Sequence, residues 1–318
     1  MIDSVKISVA LCTYNGEKYL PAQLDSIINQ SLQPYEIIIV DDGSSDDTRS
    51  ILEQYSMKYK YIHLFYNEER LGFVRNFSSA ISKTHGDYVA LADQDDIWTE
   101  NHLEALLHGI GHNAVCVGDA IMIDSEGKET GERFSDIKRN YYIPTDSVSK
   151  AYRIVYNLNP YQGASMLIDR NWVETYLPIP KEAGYHDTFL AGCASLTKGL
   201  VVIPEIINRY RIHEGQVTNT WKTSVFKELR HRRHRICYSS KPFFIHQVLG
   251  KNPELSSDAV SFIDEFKLVL DLNNQDKRFK ALRILNRHYK EIYSTNSYKY
   301  MILRSLHFLI TGSDPIPF

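Results

Sequence analysis

The sequence predicts an α/β fold, a mostly parallel twisted sheet with helices on both faces, followed by a C-terminal helical extension. Two observations carry that prediction. In the first hundred residues, short β-branched runs alternate with stretches of helical periodicity, the pattern of strands joined by crossover helices. After about Thr220 the strand signals stop and helical periodicity continues.

The elements follow in order. Ile7 to Leu11 is a short apolar run and reads as a buried strand. Leu20, Leu24, Ile27 and Ile28 recur at helical spacing. Ile37 to Val40 forms a second buried strand, ending in Asp41-Asp42-Gly43-Ser44. Ser45 or Asp46 can cap the next helix, which carries Ile51, Leu52 and Tyr55. Ile62 to Tyr66 is a third strand, Val74, Phe77 and Ile81 mark a third helix, and Tyr88 to Ala92 is a fourth strand. Ala114 to Asp124 reads as a strand and Ser125 to Lys128 as a turn. Residues 128–146 are polar with weak periodicity and read as a mobile loop or lid. Ser147 to Tyr156 is helical, Ala164 to Ile168 a strand, His186 to Leu196 a helix, and Leu200 to Arg211 a strand broken at Pro204. Helices are then expected from Val225 onward and over 257–272, 275–290 and 297–310. The domain reading is 1–220 for the α/β unit and 221–318 for the helical extension.

Composition narrows the function classes. The chain has 318 residues, 24% charged, with a formal net charge of −3, which is not the basic excess of a dedicated nucleic-acid binder. Cys12, Cys116, Cys193 and Cys237 have no metal-ligand spacing and read as thiols of a reducing compartment. Neither a signal peptide nor a membrane span is expected, so the cytoplasm is the expected location.

In an open parallel sheet, ligands bind outside the carboxyl ends of the strands. Those ends are Cys12 to Gly16, Asp41 to Ser44, Asn67 to Arg70 and Asp93 to Asp96, and three of the four are acidic. Carboxylates facing one cleft repel, and a hard divalent cation such as Mn²⁺ or Mg²⁺ relieves that repulsion. No glycine-rich phosphate loop of either common type occurs, so phosphate is expected to be held through a metal. The plain structural alternatives are a turn with a helix cap at Asp41 to Ser44 and a solvated loop at Asp93 to Asp96.

Three blocks, Ala10 to Gly16 (ALCTYNG), Ile37 to Ser44 (IIIVDDGS) and Ala92 to Trp98 (ADQDDIW), together resemble the family 2 glycosyltransferases of GT-A fold, including bacterial members that build surface polysaccharides. The resemblance covers about residues 5 to 215. It implies a Rossmann-like GT-A sheet, a nucleotide-sugar donor, a divalent cation and an inverting single displacement.

By position, the resemblance implies that Thr13, Tyr14 and Asp41 contact the nucleoside, with Asp41 on the base and Arg70 on the nucleotide. Asp93 and Asp95 form the D-x-D motif, with Asp93 near the ribose and sugar and Asp95 on the metal. Asp187 is the expected general base, preceded by His186 where the family commonly has Glu. The alternative for Asp187 is a helix cap. His213 is a candidate metal ligand. Gln162 and Gly163 lie in a loop expected beneath the donor sugar and acceptor. Trp98 is a candidate sugar contact or a packing residue.

Residues 222–241 hold seven Lys or Arg against one acidic residue. The run reads as a solvated helix face or as a peripheral contact with anionic lipid. The partners expected are a nucleotide-sugar donor and a glycan or lipid-linked acceptor, with no nucleic acid. Two other functions share the architecture, a sugar nucleotidyltransferase and a non-catalytic nucleotide-binding module. The first usually carries a glycine-rich basic loop after the first strand, where this chain has Thr13-Tyr14-Asn15-Gly16-Glu17.

Overall fold

The computed structural model describes residues 5–137, 150–151, 154, 161–216, 255–275 and 277–288. The expected alternation is present: β1 (Ile7–Thr13), α1 (Leu20–Ile28), β2 (Glu36–Asp41), α2 (Thr48–Lys58), β3 (Ile62–Tyr66), α3 (Phe73–Ser82) and β4 (Tyr88–Asp93). β1 lies between β2 and β4 and runs parallel to both, and β3 continues the parallel set beyond β2.

The apolar runs explain why both faces are covered. Alternate residues of a strand point to opposite faces. Ala10, Ile38, Val40, Val89 and Leu91 enter one core, while Val9, Leu11, Ile37, Ile39, Ala90 and Ala92 enter the other. A strand apolar at every position therefore needs helices on each side.

Beyond β4 come β5 (Ile97–Trp98), α4 (His102–Ile110), β6 (Val115–Ile123), β7 (Glu129–Arg133), α5 (Phe134–Ile137), β8 (Met166–Asp169), α6 (Arg170–Glu174), α7 (His186–Leu196) and β9 (Leu200–Arg211). The sheet order is β3-β2-β1-β4-β8-β6-β9-β5, with β7 paired to β6. β8 is antiparallel to β4 and β6, so the second half of the sheet is mixed.

Several expectations change here. Residues 129–137 are a strand and a short helix rather than a loop, because β7 pairs with β6 and Phe134 is buried against Ala120 and Met122. Pro204 does not break β9; the pairing with β6 shifts register between Val117 and Asp119 and passes over the proline, which has no N–H to donate. The cap position of α2 is Asp47, although Asp46 still accepts the Thr48 amide at 3.1 Å.

Two further helices, α8 (Ser257–Asn274) and α9 (Arg278–Leu285), place Phe262, Phe266, Val269, Leu282 and Leu285 in the same core as α3 and α7. The expected boundary near 220, the basic run 222–241 and the helix 297–310 lie outside the described residues, as does most of the helix expected over Ser147 to Tyr156. No helix among the described residues is long and apolar enough to cross a membrane.

Candidate functional site

The carboxyl ends of β1 and β4 meet at the point where the strand order reverses, with Cys12 level with Asp93. An open cleft of about 1570 Å³ lies there. Thr13, Tyr14, Arg70, Asp93, Asp95, Gly163, Asp187 and His213 line it, whereas Asp41 and Gln162 do not.

On the β1–β3 side, the Arg70 guanidinium sits 3.7 Å over the Tyr14 ring. The loop carrying Arg70 is held by Asp42, which accepts the amides of Leu71 at 2.7 Å and Gly72 at 2.8 Å and the Asn67 side chain at 2.9 Å. Gly72 has φ 78° and ψ 156°, a conformation open essentially to glycine alone, and it directly precedes α3.

Asp41 is turned inward. It accepts Thr13 Oγ1 at 3.0 Å, the Ser44 amide at 3.0 Å, Arg49 Nε at 2.9 Å and the Ser44 hydroxyl. Burial raises its pKa, but Ser44, Arg49 and Thr13 outweigh that and hold the carboxyl below its ordinary value. Its neighbour Asp42 borders the cleft instead.

The D-x-D turn is built around three carboxylates. Burial, then Asp95 and Asp187, push the Asp93 pKa up to about 8. Asp95 Oδ2 lies 2.9 Å from His213 Nε2. The Gly215 amide lies 3.2 Å from His213 Nδ1; the proton shared between Nε2 and Asp95 would have to leave for Nε2 to ligate a cation. Asp96 is fully buried and accepts Asn208 Nδ2 at 2.7 Å and the Arg211 amide at 3.0 Å. Gln94 clamps the exit of β1, accepting from the Tyr14 amide at 2.9 Å and donating to the Tyr14 carbonyl at 3.0 Å.

Asp187 stands in the first turn of α7, and Tyr185, not Asp187, holds the cap position. Its Oδ1 accepts the Thr188 amide at 2.5 Å and the Thr188 hydroxyl at 3.2 Å, while no hydrogen bond to Oδ2 occurs among the described residues. His186 is buried and stacks on Phe77 at 4.0 Å. Burial lowers its pKa against the opposing influence of Asp187, so the ring is neutral. Trp98 is buried and stacked 3.8 Å from His102, away from the cleft lining. It is a packing residue.

The model of glycosyl transferase family 2 matches residues 8–177. The chain belongs to that family. A protein of Haemophilus influenzae described as an uncharacterized glycosyltransferase is 28% identical over 311 residues, covering 95% of this chain and 90% of its own. The putative teichuronic acid biosynthesis glycosyltransferase TuaG of Bacillus subtilis is 40% identical over 101 residues, 32% of this chain and 40% of its own length. Among solved structures, S. aureus TarS in complex with UDP-GlcNAc superposes with a TM-score of 0.57 at 18% identity, covering 90% of this chain and 81% of TarS. The mannosyltransferase PcManGT from Pyrobaculum calidifontis, in complex with GDP-Man and Mn²⁺, gives 0.56 at 16% identity, covering 97% and 79%. These likenesses bear out the GT-A fold.

The cleft also rests on residues that sequence patterns did not single out. Asp96, Asn208 and Arg211 join the D-x-D turn to the end of β9, and Arg211 Nε donates to the Asp95 carbonyl at 2.8 Å. The one available signal was the third acid of Asp93 to Asp96, since a carboxylate straight after a buried strand needs partners.

Proposed function

We propose that this glycosyltransferase moves a sugar from a nucleoside diphosphate donor, UDP- or dTDP-linked, to a hydroxyl of a glycan or lipid-linked acceptor, with inversion, in surface polysaccharide synthesis. One observation carries the reading: Asp93, Asp95, His213 and Asp187 line the same cleft as the stacked pair Tyr14 and Arg70.

Tyr14 and Arg70 offer a flat cationic surface for the nucleotide. Thr13 stands beside them at the end of β1. Asp41 serves there through Thr13 and Ser44, since its own oxygens are occupied.

Asp95 Oδ2 and His213 Nε2 fit a hard divalent cation, Mn²⁺ or Mg²⁺, which takes oxygen and imidazole ligands. Burial first, and then the charges of Asp95 and Asp187, raise the Asp93 pKa, and a cation would relieve the second contribution. Among the described residues no three His, Cys, Asp or Glu side chains are arranged to hold an ion by themselves, so the reading requires donor phosphate oxygens to supply the remaining ligands. Bound there, the ion supplies Lewis-acid stabilisation of the charge that develops on the leaving phosphate.

Asp187 Oδ2 takes the proton of the acceptor hydroxyl. The hydroxyl oxygen forms its bond to the anomeric carbon as the bond to the phosphate oxygen breaks, and the nucleoside diphosphate leaves. A single displacement of this kind inverts the anomeric centre. The Thr188 amide on Oδ1 fixes the direction of the carboxylate. Gly163 borders this part of the cleft, and Gln162 sits just outside it.

The basic run 222–241 supports a peripheral contact with the inner face of the cell membrane. Co-sedimentation with phosphatidylglycerol vesicles, lost at high salt, checks it.

The main experiment incubates the chain with Mn²⁺ and a panel of nucleotide sugars, and identifies the products. Free nucleoside diphosphate is expected. Pyrophosphate would indicate a nucleotidyltransferase, and stable binding without turnover a non-catalytic module.

A further inference from the structure

The hairpin of α8 and α9 has one face in the core and one in solvent. Phe262, Phe266, Val269, Leu282 and Leu285 point inward, toward α3 and α7. Helical periodicity puts Val260, Asp264, Leu268 and Asp271 on the opposite side of α8. It puts Phe279, Lys280 and Arg283 on the opposite side of α9, continued by Arg287 in the 3₁₀ turn Asn286–His288. All eight are exposed.

Two features distinguish this face from a solvated one. It leaves large apolar side chains in water: Val260 is 41% exposed, Leu268 49% and Phe279 77%. Single exposed apolar residues are common, but three on one helical hairpin call for a cover. The charges are also sorted by helix. The outward stripe of α8 carries Asp264 and Asp271, and that of α9 and its 3₁₀ turn carries Lys280, Arg283 and Arg287 with no acid. Lys267 lies 3.4 Å from Asp264 within α8, while Asp271, Lys280, Arg283 and Arg287 form no ion pair among the described residues. Asp264 and Asp271 are seven residues apart, as are Lys280 and Arg287. That is about two turns, or roughly 10 Å, along each axis.

A face with acids on one helix and bases on its neighbour is complementary to itself. A two-fold axis lays α8 of one copy along α9 of the other, so an acidic stripe meets a basic one twice. A bilayer would accept Phe279 and the bases, but it would press Asp264 and Asp271 against anionic headgroups. Two adjacent helices of this length offer roughly 500 Å² per copy, about 1,000 Å² in all, the lower limit of a specific interface. A reversible dimer follows.

We propose that the outward face of the α8–α9 hairpin is a homodimer interface with a second copy of this chain. Asp264 and Asp271 of each copy face Lys280, Arg283 and Arg287 of the other, and Val260, Leu268 and Phe279 are covered by the contact. The assignment is independent of the transfer chemistry proposed above.

The test is sedimentation velocity on the full chain from about 1 to 100 μM, the range in which so small an interface dissociates. Wild type is expected to pass from monomer to dimer. Asp264→Lys with Asp271→Lys makes both stripes basic, and Lys280→Glu, Arg283→Glu and Arg287→Glu together make both acidic. Each variant alone should associate at least about tenfold more weakly, and an equimolar mixture of the two should dimerise again. Phe279→Ser should weaken the dimer by about tenfold. Thermal unfolding should stay near wild type throughout, because every changed side chain is exposed. Wild type that stays monomeric at the highest concentration overturns the interface. So does a dimer that the charge variants leave intact, or a mixture of the two that fails to associate. A monomeric wild type that binds phosphatidylglycerol vesicles, and loses them in the acidic variant, would give this face to lipid instead.

Discussion

Asp95 Oδ2 meets His213 Nε2 at 2.9 Å across 118 positions of sequence, and the neighbouring Asp96 makes the meeting possible. By accepting the Arg211 amide, Asp96 fixes the end of β9 two residues before the histidine. Removing the pair's imidazole tests the pair directly. His213→Ala should cut the Mn²⁺-dependent gain in nucleotide affinity about tenfold or more, roughly 1.4 kcal/mol by calorimetry. Chelation with EDTA should bring wild type down to the same level. An identical metal response in variant and wild type would remove His213 from the metal site.

Asp187→Asn keeps the acceptor that holds the Thr188 amide but cannot take a proton. Transfer should slow by about 10²–10⁴ while nucleotide affinity stays unchanged. Near-normal turnover would assign the base elsewhere.

Gly72 is placed by Asp42 in a backbone region that other residues enter at a cost of about 1–3 kcal/mol. Gly72→Ala should lower stability in urea by that order. It should also weaken nucleotide binding, because the displaced loop carries Arg70. Loss of stability with intact nucleotide affinity would separate Arg70 from the nucleotide.

His102 is buried against Trp98 with Nδ1 2.8 Å from the Ile207 carbonyl, and burial drives its pKa down to about 3. The unfolded chain, with an ordinary histidine pKa near 6.5, therefore binds a proton that the folded chain refuses. Between those two values stability must rise with pH, at a limit of about 1.4 kcal/mol per pH unit from this group. His102→Gln should flatten the stability profile between pH 6.5 and 5. A slope equal to that of wild type would refute the assignment.

The first four strands were legible because each is an apolar run bounded by turn residues, and their order follows from crossover connections. The second half was harder to read. α4 was missed although Leu103, Leu106 and Ile110 are buried at helical spacing. β5 is two residues long and exists only because Ile97 and Trp98 pair with Arg209 and Asn208. The polar, weakly periodic sequence around Glu129 to Arg133 suggested a loop, since β7 is held by main-chain pairing and its side chains are exposed.

The sequence by itself determined the parallel half of the sheet, the family, and the residues at the strand ends. Apolar periodicity and turn chemistry are local, so neighbouring positions suffice to read them. Tertiary structure decided which acid faces the cleft. Asp41 and Asp42 are adjacent and chemically the same, yet Ser44, Arg49 and Thr13 turn the first inward while the second borders the cleft. It also decided that His186 stays neutral beside Asp187, with no hydrogen-bond partner for its ring among the described residues. Burial and hydrogen-bond partners come from residues far apart in the chain, and only folding brings them within a few ångströms.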